Sequence, residues 1–230
     1  MASCLRLLLL LLSGLIAQTG IAAAASSCGQ GESAWRFGQY AQSVKLLSDC
    51  LGQPGLGKGQ RRQALQMRAS AHFNLEQNQA AVRDQEASFS VEAPRTPGEF
   101  VNYASYLRRV ARYEDSLAQL RAAEKIDAAA GGPTMMTQYH LGWTLAELGR
   151  HGEALKAFGV AIPLQPEFPF AYLKRAQACE ALGRKEEARA DIERAAALVK
   201  HSPMALPDDR FMATLRQKVR HYGLGKKYDF

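Results

Sequence analysis

Side chains that could perform catalysis or hold a metal ion are scattered along this sequence of 230 residues. None of the five histidines lies at ligand spacing from a cysteine or a carboxylate, so we expect no metal site. No serine or cysteine lies in a nucleophile motif. Residues 52–59 begin like a phosphate-binding loop, but Gly59 stands where a Ser or Thr must coordinate Mg²⁺, and a helix rather than a strand precedes them. The sequence therefore predicts a protein that is not an enzyme and has no cofactor.

The segment 1–25 has the character of a secretory signal peptide. Arg6 precedes an apolar run from Leu7 to Ile16, and the small residues 22–25 supply a cleavage site after Ala25. A membrane anchor is the alternative, but it needs about 20 apolar residues, more than this run contains. No later segment is apolar enough to span a bilayer. We therefore expect export, and the abundance of Ala, Arg and Gly favours a bacterial periplasm.

The length suffices for one domain and is too short for two large ones, and the composition is that of a folded protein. Hydrophobic residues make up 47% of the chain and charged residues 22%, which excludes a mainly disordered protein. The formal net charge is +7, and basic residues cluster at 58–62, 108–112 and 216–220. Solvent-exposed helix faces account for these clusters. Export argues against nucleic acid as a partner, whereas contact with an anionic membrane or glycan surface stays open.

An internal repeat is the main organising signal. The segments 148–154, LGRHGEA, and 182–188, LGRKEEA, are identical at five of seven positions. The two segments are 34 residues apart. Small or apolar residues on both sides recur at the same distance: Gly142 and Ala176, Phe158 and Ile192, and Ala161 and Ala195. These residues follow a helical period, which predicts repeated pairs of helices.

The repeat resembles the tetratricopeptide repeat (TPR), a helix–turn–helix unit of about 34 residues. Members of this family have a small residue in helix A and Gly at the turn. Their helix B contains Ala, an aromatic residue and a second Ala, in that order. Window 135–168 supplies Gly142, Gly149, Ala154, Phe158 and Ala161, and window 169–202 has the corresponding residues. We expect the small residues to lie where the two helices cross closely, and Gly149 and Gly183 to end their helices with a positive φ.

The resemblance implies an all-α fold, a right-handed α-α solenoid of about five repeats. The approximate repeats are 27–61, 62–95, 97–130, 135–168 and 169–202; the first has a helix A shortened to around 32–37. Residues 207–223 form a predicted capping helix, with an Asp208 cap and an apolar face of Phe211, Leu215 and Val219. The alternative is a helix that binds a partner. Residues 224–230 form a tail that we expect to be loose.

TPR proteins usually bind peptides on the concave face lined by their A helices, so the resemblance also implies a binding site. We predict that large aromatic residues on this face form its floor and that Asn102, Arg108 and Arg109 contact polar or acidic groups. The full predicted set is Asn102, Arg108, Arg109, Met136, Tyr139, His140, Trp143, Phe170 and Lys174. The alternative is that the aromatic residues only pack against neighbouring A helices.

Three cysteines remain after cleavage: Cys28, Cys50 and Cys179. An exported chain can form disulfides, but an odd number leaves at least one cysteine outside an intramolecular bridge. A Cys28–Cys50 bridge would brace the shortened first repeat and contribute about 3 kcal/mol. Cys179 is expected to be a buried, inert thiol. The alternative is that Cys28, after Ala25-Ser26-Ser27, is acylated as in a bacterial lipoprotein.

These observations predict an exported, non-enzymatic interaction module that binds a protein or peptide on its concave face. The alternative is a lipid-anchored outer-membrane assembly factor acylated at Cys28. An enzyme that uses the same face as a pocket has no supporting constellation of residues.

Overall fold

The structure, a computed structural model, describes residues 27–201 and 208–228, and its regular elements there are all helices. The predicted signal peptide lies outside the described residues. Helix α1 covers residues 27–36, so it begins before the shortened helix that we expected. The helices that follow are α2 (Tyr40–Leu51), α3 (Lys58–Asn74), α4 (Asn78–Val91), α5 (Pro97–Arg109), α6 (Tyr113–Ala129), α7 (Met135–Glu147), α8 (His151–Leu164), α9 (Pro169–Ala181), α10 (Lys185–His201) and α11 (Asp209–His221). None of the described helices is long and apolar enough to cross a membrane.

The chain divides into two compact units, an N-terminal unit, Met1–Arg95, and a C-terminal unit, Thr96–Phe230. In the N-terminal unit, α3 packs against α2 and α4. In the C-terminal unit, α5 pairs with α6, α7 with α8, and α9 with α10, and each pair packs on the next. The helices α5, α7 and α9 are the A helices of this unit and lie side by side. The predicted all-α, α-α solenoid fold is confirmed.

Each turn from an A helix to a B helix contains one residue in the left-handed region. Gly38, Gly149 and Gly183 have φ values of 70°, 74° and 72°, while Glu76 and Ala111 have φ values of 58° and 59°. In each turn the amide after this residue donates to a carbonyl of the last turn of helix A, as when Arg150 N donates to Leu145 O at 2.9 Å. This hydrogen bond ends helix A and aims the chain into helix B. The positive φ expected at Gly149 and Gly183 is present.

A small residue in helix A faces a large one in helix B, 16 positions later. A Cβ atom on Gly142 would lie 2.8 Å from the ring of Phe158, and one on Gly31 would lie 2.8 Å from Leu47. Phe158 is fully buried. Close crossing of the helices therefore depends on the missing side chain, as the repeat pattern predicted.

A disulfide joins Cys28 of α1 to Cys50 of α2, with Cα atoms 5.0 Å apart, which confirms the predicted pairing. Two hydrogen bonds hold α1 further: Ser43 Oγ donates to Gly31 O at 2.9 Å, and Trp35 Nε1 donates to Ser70 Oγ at 3.1 Å. Helix α1 is thus fixed covalently and by polar contacts to its own unit.

Helix α11 packs on α10 and contacts α9 through Lys218, whose Nζ donates to Glu180 Oε2 at 2.5 Å. Its N-cap is Asp208, whose Oδ1 accepts a hydrogen bond from Phe211 N at 2.8 Å. Phe211, Leu215 and Val219 are buried. The chain stays packed as far as Tyr228, which is also buried, and Lys200 Nζ donates to Lys227 O at 3.0 Å. This segment differs from the loose tail that we expected because the apolar ring of Tyr228 anchors it.

Candidate functional site

A cavity of about 320 Å³ opens in the C-terminal unit, on the face formed by its three A helices. Helix α11 and the start of α6 complete its wall. The lining residues are Arg108, Arg109, Tyr113, Tyr139, Trp143, Glu147, Phe170, Leu173, Lys174, Gln177, Asp208, Arg210, Phe211 and Thr214. The cavity therefore combines aromatic surface with cationic side chains.

Trp143, in the middle A helix α7, carries two cations against its indole ring. The guanidinium carbon of Arg108 lies 3.9 Å from a ring centroid, and Lys174 Nζ lies 4.1 Å from one. One cation comes from α5 and the other from α9, so Trp143 links three consecutive A helices. Trp143 Nε1 donates to Glu147 Oε1 at 2.8 Å, which fixes the plane of the ring. Cation–π contacts of this kind are strongest where water is excluded.

Arg108 is a buried cation held by neutral partners. Its Nη1 donates to Thr144 Oγ1 at 3.3 Å, and its Nη2 donates to His140 Nδ1 at 3.2 Å. Burial lowers the pKa of Arg108 to about 10, so the guanidinium remains charged at neutral pH. Burial, and then the charge of Arg108, lowers the pKa of His140 well below its usual value. His140 is therefore neutral, with Nδ1 as the acceptor, and it positions the arginine.

Lys174 is half-buried at the other side of the cavity. Burial is the main cause that lowers its pKa to about 8; Glu147 opposes this shift, and the charges of Arg108 and Arg109 add to it. At neutral pH most Lys174 side chains are protonated. The cost of removing this charge from water is only partly offset by the groups around it.

Aromatic side chains form the apolar part of the wall. Phe170 packs on Phe211 of α11 with ring centroids 4.2 Å apart, and on Phe168 with centroids 5.2 Å apart. Tyr139 meets Phe168 edge to face at 5.1 Å and is itself buried, which raises the pKa of its phenol. These contacts extend from α7 to α11 and include three lining residues of the cavity, Tyr139, Phe170 and Phe211.

The structure brings six of the nine predicted binding residues to this cavity: Arg108, Arg109, Tyr139, Trp143, Phe170 and Lys174. Asn102 and Met136 are exposed and lie outside the lining. His140 lies behind Arg108 instead of facing the cavity. Tyr139, with 3% of its surface exposed, belongs as much to the core as to the cavity, so the packing interpretation also applies to it.

Sequence reasoning did not include the contribution of α11. Asp208, Arg210, Phe211 and Thr214 all line the cavity. The apolar face of α11 was visible in the sequence, but nothing there indicated that its first turn lies beside the A helices. The pairing of Phe211 with Phe170 depends on how the chain returns after α10, which the repeat pattern does not encode.

The cavity has a surplus of positive charge. Four cationic side chains line it, from Arg108, Arg109, Lys174 and Arg210, against two carboxylates. Glu147 accepts a hydrogen bond from Trp143, and Asp208 caps α11. Within residues 27–201 and 208–228, no three His, Cys, Asp or Glu side chains converge as metal ligands would. The site has the chemistry to hold an anionic group next to an apolar one.

Stacked helix pairs with a small residue at each crossing and a left-handed residue at each turn define an α-α solenoid. Residues 171–198 match the family model described as tetratricopeptide repeat. Residues 171–198 are therefore similar to a tetratricopeptide repeat, and they lie within the α-α solenoid.

Solved structures of MamA share this fold. MamA from Desulfovibrio magneticus RS-1 is 16% identical with a TM-score of 0.64, and the match covers 79% of this chain and 97% of that one. MamA of strain AMB-1 is 20% identical with a TM-score of 0.59, covering 79% and 94%. MamA of strain MSR-1 is 19% identical with a TM-score of 0.61, covering 76% and 95%. Among curated proteins, no sequence matches this chain at a significant level. At these identities the likeness concerns the fold.

Proposed function

We propose that this protein is an exported, non-enzymatic interaction module that binds a partner protein or peptide on the A-helix face of its C-terminal unit. One observation carries the proposal: three consecutive A helices place Arg108, Trp143 and Lys174 together at one cavity. Aromatic residues and Arg are typical anchors of protein interfaces. The partner offers an acidic group to the cations and an apolar group to the aromatic wall.

Asn102 and Met136 extend this surface beyond the cavity. Both are exposed, and Met136 is an apolar side chain with 45% of its surface accessible. A partner segment that enters the cavity would continue over these residues along the A-helix face. They are thus expected to contribute contact area, whereas Arg108 and Trp143 supply most of the binding free energy.

Photo-crosslinking in the native host tests the binding surface. A photoreactive amino acid replaces Gln177, at the cavity, or Arg189, an exposed residue of α10 that serves as the control. We expect a discrete adduct from position 177 that disappears when Trp143→Ala is added, and no such adduct from position 189. Equal adducts from both positions, or an adduct insensitive to Trp143→Ala, would overturn the proposal.

Export is supported by the Cys28–Cys50 disulfide, since such bonds persist in oxidising compartments. The same sulfur atom cannot be both acylated and disulfide-bonded, so this bond favours the unanchored module over the lipoprotein acylated at Cys28. Intact mass of the protein from its native host, before and after reduction, tests both. A chain that starts at Ser26 and gains about two hydrogens on reduction supports the export proposal. A lipid on Cys28 would replace it with the lipoprotein, and an unprocessed Met1 would contradict export.

A further inference from the structure

Two cationic side chains of the cavity, Arg108 and Lys174, form no ion pair within the described residues. In the part of the chain that the structure describes, no carboxylate lies within ion-pair distance of Arg108 or Lys174. Their contacts are the indole ring of Trp143 and, for Arg108, two neutral side chains. A buried charge without a partner is costly, and natural proteins usually pair it. An anion bound between Arg108 and Lys174 would supply the opposite charge that these two side chains lack.

The rest of the cavity limits the shape of that anion. Phe170, Leu173 and Phe211 supply the apolar wall, and Phe170 packs on Phe211 of α11. A volume of about 320 Å³ lies at the lower end of the range of small-molecule sites, roughly 300–1,000 Å³. A cavity of this volume suits a compact body.

We propose that the cavity binds a small organic carboxylate, with its carboxylate between Arg108 and Lys174 and its aromatic or branched aliphatic body against Phe170 and Phe211. This site goes beyond the partner-binding function and does not depend on it. The protein is then a ligand-binding module whose interaction surface changes charge when the acid is bound.

The proposal links binding to pH through Lys174. Glu147 of α7, Arg108 and Arg109 of α5, and Asp208 and Arg210 of α11 are the charged groups that line the cavity with it. Because burial lowers the pKa of Lys174 to about 8, this cation is lost as the pH rises from 7 to 9. The affinity for a carboxylate is therefore expected to fall about tenfold over this interval.

Trp143 reports on its own site. The chain has two tryptophans, so the Trp35→Phe background leaves the indole of Trp143 as the sole tryptophan signal. Phenylacetate is the probe, and phenylacetamide is the neutral control of the same shape. We expect saturable quenching by phenylacetate with a Kd on the order of 1 mM, typical of a ligand this small. The amide is expected to bind at least tenfold more weakly.

Variants separate the site from the fold. Lys174→Met keeps the apolar stem and is expected to weaken phenylacetate binding about tenfold at pH 7 and to abolish the pH dependence. Arg108→Gln is expected to weaken binding more, with calorimetry of unfolding as a check that it folds. Arg189→Gln, a cation outside the cavity, is the matched control and should bind like the parent.

Three results would overturn the proposal. One is that phenylacetate and phenylacetamide bind with equal affinity. Another is the absence of saturation by phenylacetate, 3-methylbutanoate and hexanoate up to about 20 mM, well above the Kd expected for such ligands. The third is binding of the tripeptide Ala-Ala-Phe as a free acid, but not of the small acids, because the site would then be one for protein carboxyl termini. Each result leaves the crosslinking test of the partner surface independent.

Discussion

Gln85 in the N-terminal unit and Phe158 in the C-terminal unit occupy the same place in their repeats, nine positions after the left-handed turn residue. Both side chains are almost fully buried. Phe158 fills the space above Gly142 with apolar contacts, whereas Gln85 Nε2 finds no hydrogen-bond partner in the described residues. One backbone position therefore accepts an optimal core residue in one unit and a costly one in the other.

The two units differ in how they obtain stability. The C-terminal unit has a continuous apolar core that runs from α5 to α11. The core cluster around Leu47 in the N-terminal unit is small, and this unit has the disulfide. Both units have a bidentate arginine–aspartate pair at the same repeat position, Arg68–Asp84 and Arg175–Asp191. A degenerate repeat can therefore keep its backbone geometry when a covalent link supplements a small apolar core.

Phe158→Ala is expected to have the largest effect. Removing this fully buried ring leaves a cavity beside Gly142 and should destabilise the C-terminal unit by about 4 kcal/mol. Urea unfolding followed by Trp143 fluorescence, in the Trp35→Phe background, measures it. Gly142→Ala should also destabilise, because its Cβ would meet the ring, and Phe158→Leu should relieve that clash. Additive effects of Gly142→Ala and Phe158→Leu would show that the two residues do not pack as described.

Removing the disulfide ranks second. The bridge closes a loop with a sequence separation of 22, so Cys28→Ser with Cys50→Ser should destabilise the N-terminal unit by about 3 kcal/mol. The matching measurement follows Trp35, in a Trp143→Phe background, because Trp35 lies in this unit. The Trp143 signal of the C-terminal unit serves as the control and should unfold at the same urea concentration with and without the bridge. A shift confined to the Trp143 signal would contradict the assignment of the bridge to the N-terminal unit.

The fold could be predicted from local sequence, because the repeat sets its geometry within a single helix–turn–helix unit. The identical motifs around Gly149 and Gly183 indicated the turns, and the spacing of Gly142 and Phe158 indicated the crossing. The Cys28–Cys50 pairing followed from the odd cysteine count and the shortened repeat. All of these relationships join residues that are close in sequence.

The site could be predicted only in part. Arg108, Trp143 and Lys174 were identified because helical spacing assigns them to one face of neighbouring A helices. The contribution of α11 to the lining was missed because it depends on contacts such as Phe170 with Phe211, which no repeat pattern specifies. The role of His140 behind Arg108 was also missed, since spacing gives a face but not the depth of a side chain.

Gln85→Leu replaces the buried amide with an apolar side chain like that of Phe158 at the same repeat position, and it should stabilise the N-terminal unit. An unpartnered buried amide costs about 1–2 kcal/mol, and leucine restores the apolar residue that Leu47 and Ile192 supply at this repeat position. Trp35 fluorescence during urea unfolding measures the change. Gln63→Leu, at an exposed position of α3, controls for a general gain from added apolar surface and should have little effect. A loss of stability in Gln85→Leu would mean that the amide is satisfied in solution.

Ala111→Gly should have the smallest effect and compares turns instead of cores. Ala111 has a φ of 59°, where three of the five turns have glycine. A non-glycine residue there is strained by about 1–2 kcal/mol, but glycine gains freedom in the unfolded chain, so the net gain is about 0.5–1 kcal/mol. The side chain of Ala111 is exposed, so the backbone alone accounts for the change.

Gly183→Ala, at a position where an added Cβ meets nothing within 4 Å, should lower the free energy of unfolding by a similar amount. If the two changes are equal and opposite, the left-handed turn contributes the same free energy in a degenerate repeat as in a regular one. The differences between repeats would then lie in what their helices bury, and not in how their turns are made.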